Sequence, residues 1–120
     1  MTLLIVESNP QLAALWRRHV ERQGRTVRVA HDQAGAVSAL RDGGIAVVIL
    51  NVLLTDGSAF AVADYASYRA PNVRILFVTA ASFFSDGSIF NHVVNACAYV
   101  PVATPPEDIA AMVEHYAAPI

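Results

Sequence analysis

The run Ile45 to Leu50, IAVVIL, constrains the fold most: six consecutive apolar residues preceded by Gly43-Gly44 and followed by Asn51. A strand that is apolar on both faces has to be covered on both, as happens at the centre of a parallel sheet with helices above and below. The rest of the chain supplies those neighbours. Thr2 to Val6, Thr26 to Ala30, Val73 to Thr79 and a short Ala98 to Val102 read as further strands.

Helical patterns fill the intervals. Asn9-Pro10 pairs a capping residue with proline at the first helical position, and Leu12, Leu15, Trp16, His19 and Val20 then share one face before Gly24. Asp32 caps a second helix carrying Val37 and Leu40, and the turn Thr55-Asp56-Gly57-Ser58 leads into a third that ends before Pro71. Ile89 to Ala96 reads as a fourth helix and Pro106 to Ala117 as a fifth, with Ile109, Met112, Val113 and Tyr116 at helical spacing. Five βα units with right-handed crossovers predict a doubly wound, five-stranded parallel sheet of order 2-1-3-4-5, forming a single domain over residues 1–120.

Bulk properties narrow the function classes. A net charge of −2 with interspersed signs gives no field suited to nucleic acid or an anionic membrane surface, so neither is expected as a direct partner. The lone Cys97 has no disulfide partner and reads as a small hydrophobe. With no signal peptide or membrane-length apolar run, a cytoplasmic location is expected. All eight basic residues are arginine, which leaves no lysine ammonium for any mechanism.

In doubly wound folds the sites lie at the carboxyl ends of the strands. Those ends carry Glu7-Ser8, Asn51, Thr79 and Val102. The segments NVLLTDGSAF (Asn51 to Phe60), FVTA (Phe77 to Ala80) and AYVPVATPPEDI (Ala98 to Ile109) align without gaps between motifs. On these residues the chain resembles, along essentially its whole length, the receiver domain of two-component response regulators, in a degenerate, pseudo-receiver form. The resemblance implies a phosphorelay signalling module that is not itself an enzyme. It places an acidic Mg²⁺-binding pair at Glu7 and Ser8, the phosphate-accepting aspartate at Asn51, a hydroxyl residue at Thr79, a lysine followed by proline at Val102 and Ala103, and an aromatic switch position at Tyr99.

The departures fall where the family's chemistry resides. Phosphoryl transfer needs in-line attack by a carboxylate, with Mg²⁺ and fixed donors neutralising the transferring group. The Asn51 amide is a poor nucleophile and cannot form an acyl phosphate. Of three carboxylates expected around the metal only Glu7 remains, and Val102 is apolar where the counter-cation belongs. Thr55 and Ala59 depart from the Pro and Gly that the resemblance implies for the acceptor loop, which points to remodelling there. No catalytic residue, metal or cofactor is therefore expected. The partners implied are a histidine kinase, a phosphotransfer protein or another regulator, with a homodimer as a further form. Two alternatives stand beside this: a flavodoxin-like cofactor-binding or enzymatic module, which the absence of a phosphate-cradling glycine loop disfavours, and a receiver fragment of a larger regulator carrying an output domain.

Two surface features draw attention. Arg17, Arg18, Arg22, Arg25 and Arg28 cluster on the first helix and the strand after it, near the face that receivers use to dock kinases. Phe83, Phe84, Ile89, Phe90, Val93 and Val94 are too many apolar residues for one narrow helical stripe, and they form a candidate interface. His19, on an apolar helix face, reads as a packed residue rather than a phosphorelay histidine.

Overall fold

A computed structural model describes residues 2–79 and 93–117. The elements are β1 (Thr2–Val6), α1 (Pro10–Glu21), β2 (Thr26–Ala30), α2 (Gln33–Asp42), β3 (Ile45–Asn51), α3 (Ala59–Arg69), β4 (Arg74–Thr79), β5 (Ala96–Pro101) and α4 (Pro106–Ala117). The strands form one parallel sheet of order β2-β1-β3-β4-β5, which places the apolar β3 at its centre as the sequence predicts.

The two-residue period of the strands builds two separate cores. Leu4, Val6, Val48, Leu50, Ile75 and Phe77 face α2 and α3, which present mostly small residues such as Ala36, Ala39, Ala63 and Ala66. On the opposite face Leu3, Ile5, Val47, Ile49, Leu76 and Val78 meet Trp16 and Val20 of α1 and Ile109 and Val113 of α4. Trp16 and Phe77 are the largest fully buried side chains, one in each layer. Removing either ring would cost about 3–5 kcal/mol by the usual scale for large-to-small core substitutions.

Capping residues set the starts of α1, α2 and α3. Asn9 Oδ1 accepts from the Gln11 and Leu12 amides at 2.9 and 3.3 Å, Asp32 Oδ1 from Gly35 at 2.8 Å and Ser58 Oγ from Ala61 at 3.3 Å. They also aim the preceding loops into one cluster at the strand ends. At the opposite end, Arg25 pairs with Glu114 through two bonds of 3.0 and 2.9 Å, joining the entry of β2 to α4.

The described residues contain four helices, and the chain before β5 differs from the sequence expectation. A helix running to Ala96 is contradicted at its end: Val93 is irregular, Val94 and Asn95 form a turn, and Ala96 already belongs to β5. Residues 89–92 of that expected helix lie outside the described residues. Sheet pairing wins over helical propensity here, because the Asn95 carbonyl accepts from Ile75 N at 2.9 Å while Asn95 Oδ1 accepts from Ser67 Oγ at 2.7 Å. The strand consequently starts two residues early and ends at Pro101, leaving Val102 just beyond it. Among the described residues no helix is long and apolar enough to cross a membrane.

Candidate functional site

Glu7 follows β1 and is 4% exposed, one of two buried polar side chains among the described residues. The other is Thr79, the last residue of β4, fully buried. Asn51 ends β3 between them in the sheet, since β3 lies between β1 and β4. Three of the residues singled out at the strand ends therefore converge because parallel strands place their carboxyl ends together.

The contacts are specific. Asn51 Nδ2 donates to Glu7 Oε2 at 2.7 Å, a short charge-assisted bond, while Asn51 Oδ1 accepts from the Leu53 amide at 2.9 Å. Burial pushes the Glu7 carboxyl above its ordinary range; the Asn51 amide, the backbone N–H groups of Asn9 and Ser8, and His31 oppose that rise without cancelling it. Ser8 points elsewhere. Its hydroxyl donates to the His31 carbonyl at 3.0 Å and accepts from the Thr55 amide at 3.0 Å. The His31 ring closes the same corner, with Nδ1 2.9 Å from the Glu7 carbonyl oxygen.

On the far side of Thr79 the pocket changes character. The Val102 amide donates to the Thr79 carbonyl at 2.8 Å, and the Val102 side chain is 37% exposed. Tyr99, the expected switch position, is 43% exposed on β5. Among the described residues no group of three or more His, Cys, Asp or Glu is arranged to hold a metal ion.

Two contributors were missed in the sequence. His31 and Gln33 lie about 25 residues from their partners in the chain, and neither type announces a role by spacing. Gln33 N donates to the Asp56 carbonyl at 3.2 Å and its Oε1 accepts from the Ser58 amide at 2.9 Å. A readable signal existed at Gly57, whose φ of +96° places it in the region that favours glycine and whose missing Cβ leaves room for the Gln33 side chain.

The remaining candidates separate. Three of the five clustered arginines are engaged within the domain: Arg17 with Glu21, Arg25 with Glu114 and Arg28 with Asp42. His19 bonds the Leu15 carbonyl through Nδ1 at 3.0 Å in a half-buried setting. Cys97 is half-buried, its thiol donates to the Ile75 carbonyl at 3.4 Å, and burial pushes its pKa up to about 11, the opposite of what a reactive thiolate needs. Phe83, Phe84, Ile89 and Phe90 lie outside the described residues. Val93 packs against the α2/α3-side core, whereas Val94 is 93% exposed.

No protein-family model matches the chain. It is 29% identical over 86 residues to a Mycobacterium tuberculosis protein named "Probable transcriptional regulatory protein TcrX", an alignment covering 72% of this chain and 37% of that protein. The chain thus spans little more than a third of the length of this curated relative. Among solved structures it is similar to the non-phosphorylated HemR receiver domain of Leptospira biflexa, with a TM-score of 0.87 and 19% identity covering 99% of this chain and 95% of that one. A CheY-like response regulator receiver domain of Methanospirillum hungatei JF-1 gives a TM-score of 0.86 and 17% identity, over 97% and 92% of the two chains. The response regulator TrrA of Thermotoga maritima, solved with Mg²⁺ and BeF, gives 0.81 and 20% over 96% and 97%. The fold is therefore the CheY-like, flavodoxin-type fold of response regulator receiver domains.

Proposed function

We propose that this chain is a receiver-like module of two-component signalling that acts by protein contact, with no phosphorylation at position 51. The observation that carries the reading is the 2.7 Å bond from the Asn51 amide to Glu7, which puts a neutral donor where the chemistry requires an ionisable nucleophile. The surrounding donor set does not fit Mg²⁺ either. That ion favours an octahedral shell of oxygens anchored by carboxylates, and here one carboxylate remains with an oxygen already engaged, while Ser8 Oγ and Asn51 Oδ1 hold backbone amides. Nothing in this chain can supply the lysine that would meet a phosphoryl oxygen, and Val102 stands at the matching position.

The partner in this reading is another signalling protein: a histidine kinase, a phosphotransfer protein, a second regulator, or a second copy of the chain. The longer transcriptional regulator to which the chain aligns joins more sequence to its matching region, and the proposal concerns the receiver-like unit alone.

Incubation with acetyl phosphate and Mg²⁺, followed by intact mass spectrometry, tests it. Unchanged mass is expected for the wild type. Asn51→Asp is expected to gain little adduct, because the second acid and the counter-cation are still absent. A stable phosphoryl adduct on the wild-type chain would overturn the proposal, and efficient labelling of the single variant would overturn its account of the pocket.

A further inference from the structure

We propose that Ser8 is the keystone of a hydrogen-bonded clamp that holds the loop of residues 52–58 in one conformation without any bound group. The inference deepens the reading above and rests on it only for the presence of a protein partner; the bonds stand independently. That loop leaves β3 and carries Leu53, which is 58% exposed. Its backbone is held from four directions. The Val52 amide donates to the Val78 carbonyl at 2.8 Å, Leu53 to Asn51 Oδ1 at 2.9 Å, Thr55 to Ser8 Oγ at 3.0 Å and Ser58 to Gln33 Oε1 at 2.9 Å, while the Asp56 carbonyl accepts from Gln33 N at 3.2 Å.

Ser8 occupies the middle of this set and reaches furthest. Its hydroxyl joins three segments at one atom, since it belongs to the turn after β1, donates to the His31 carbonyl in the turn between β2 and α2 and accepts from the loop after β3. Only a group that donates and accepts together can do this. A hydroxyl has one proton and two lone pairs, whereas a carboxylate only accepts. An aspartate at position 8 would set its oxygens against the His31 carbonyl and place a second negative charge beside the buried Glu7. Serine here gains a structural bond as well as losing an acid. The consequence is a loop whose exposed Leu53 is presented in a fixed position, so that a partner meets an ordered surface and forfeits less conformational entropy on binding.

Residue-resolved amide hydrogen exchange on the full chain, comparing wild type with Ser8→Ala, Ser8→Asp and Ser8→Thr, reads the clamp directly. The Thr55 amide is expected to exchange about fivefold faster or more in the Ala and Asp variants, the scale of losing one net hydrogen bond. Thr retains the hydroxyl and is expected to keep the wild-type rate, while remote amides that open locally, such as Gly24 and Ala70 at the ends of α1 and α3, stay unchanged in all three. Equal Thr55 exchange in wild type and Ser8→Ala overturns the clamp. So does acceleration of the remote, locally opening amides by the same factor, which marks a loosening unrelated to the Ser8 bond. A phosphoryl adduct would overturn the proposed function without altering these rates, and an unprotected Thr55 would overturn the clamp without bearing on phosphorylation.

Discussion

The two sides of the pocket at the sheet's carboxyl end are built differently. On the β1–β3 side, side chains do the joining: Asn51 to Glu7, Ser8 to both flanking loops, His31 to the Glu7 carbonyl. On the β4–β5 side the Val102 amide donates to the Thr79 carbonyl, and the Val102 side chain is apolar and partly exposed. One side holds a single carboxylate beside a neutral amide, and on the other the described position after β5 is the apolar Val102. In the function proposed above the two departures would compensate, since an amide in place of an acceptor carboxylate removes the negative charge that a lysine opposite would balance. The pocket is consistent as a low-charge site, and changes that return charge to one side only are the way to break that consistency.

Asn51→Asp should have the largest effect. It exchanges a donor for an acceptor 2.7 Å from Glu7 Oε2 and sets a second carboxylate against the buried Glu7. At neutral pH the expected cost is about 2–3 kcal/mol, from a lost charge-assisted bond and like-charge repulsion, read by urea denaturation. Repulsion raises the acid range of the pair in the folded state, so the folded state binds a proton more tightly than the unfolded one. Stability is then greatest in acid and falls as pH rises, and the deficit against wild type should shrink near pH 5, where one proton can be shared. A variant as stable as wild type at pH 7 would mean that the β1–β3 side tolerates a second charge, and the contrast would collapse.

A smaller effect is expected from Glu7 itself. Burial raises its folded pKa above the ordinary carboxyl value, so the protonated form is favoured more in the folded than in the unfolded state. The sign follows: its contribution is full below the unfolded pKa, declines as pH rises through the window up to the raised folded value, and is flat beyond it. Glu7→Gln removes that titration. Chemical denaturation across this acid window should give a shallower pH dependence for the variant, and identical profiles would show that the carboxyl is better compensated by its neighbours than its burial suggests.

How much of this was readable depends on sequence distance. β1, β2 and α4 have the bounds that the patterning predicts, because apolar periodicity and caps such as Asn9-Pro10 are local signals. The convergence of Glu7, Asn51 and Thr79 was also legible, since a parallel sheet brings strand ends together whatever their separation in the chain. The bonds that shape the site were not. Ser8 could be read only as a missing acid, and its role depends on the His31 carbonyl 23 residues away and the Thr55 amide 47 residues away. The entry into β5 was misread for a related reason. Val93 to Ala96 has apolar spacing that suits a helix, and the outcome is decided by β4, whose Ile75 amide takes the Asn95 carbonyl.

The smallest expected effect falls on the other side of the pocket. Val102→Lys alone should change stability by no more than about 0.5 kcal/mol, because the side chain is partly exposed and the position makes its bond through the backbone. Its information lies in combination. If the two sides compensate as argued, the ammonium that is idle beside a neutral Asn51 becomes useful beside an aspartate. The double variant Asn51→Asp, Val102→Lys should then recover about 1 kcal/mol of the single-variant loss as a coupling in a double-mutant cycle. That coupling should weaken with added salt, since the position is open to solvent. Strict additivity of the two changes would show that the β4–β5 side lost its cation independently of the change at Asn51, and that the low charge of the pocket is two separate events.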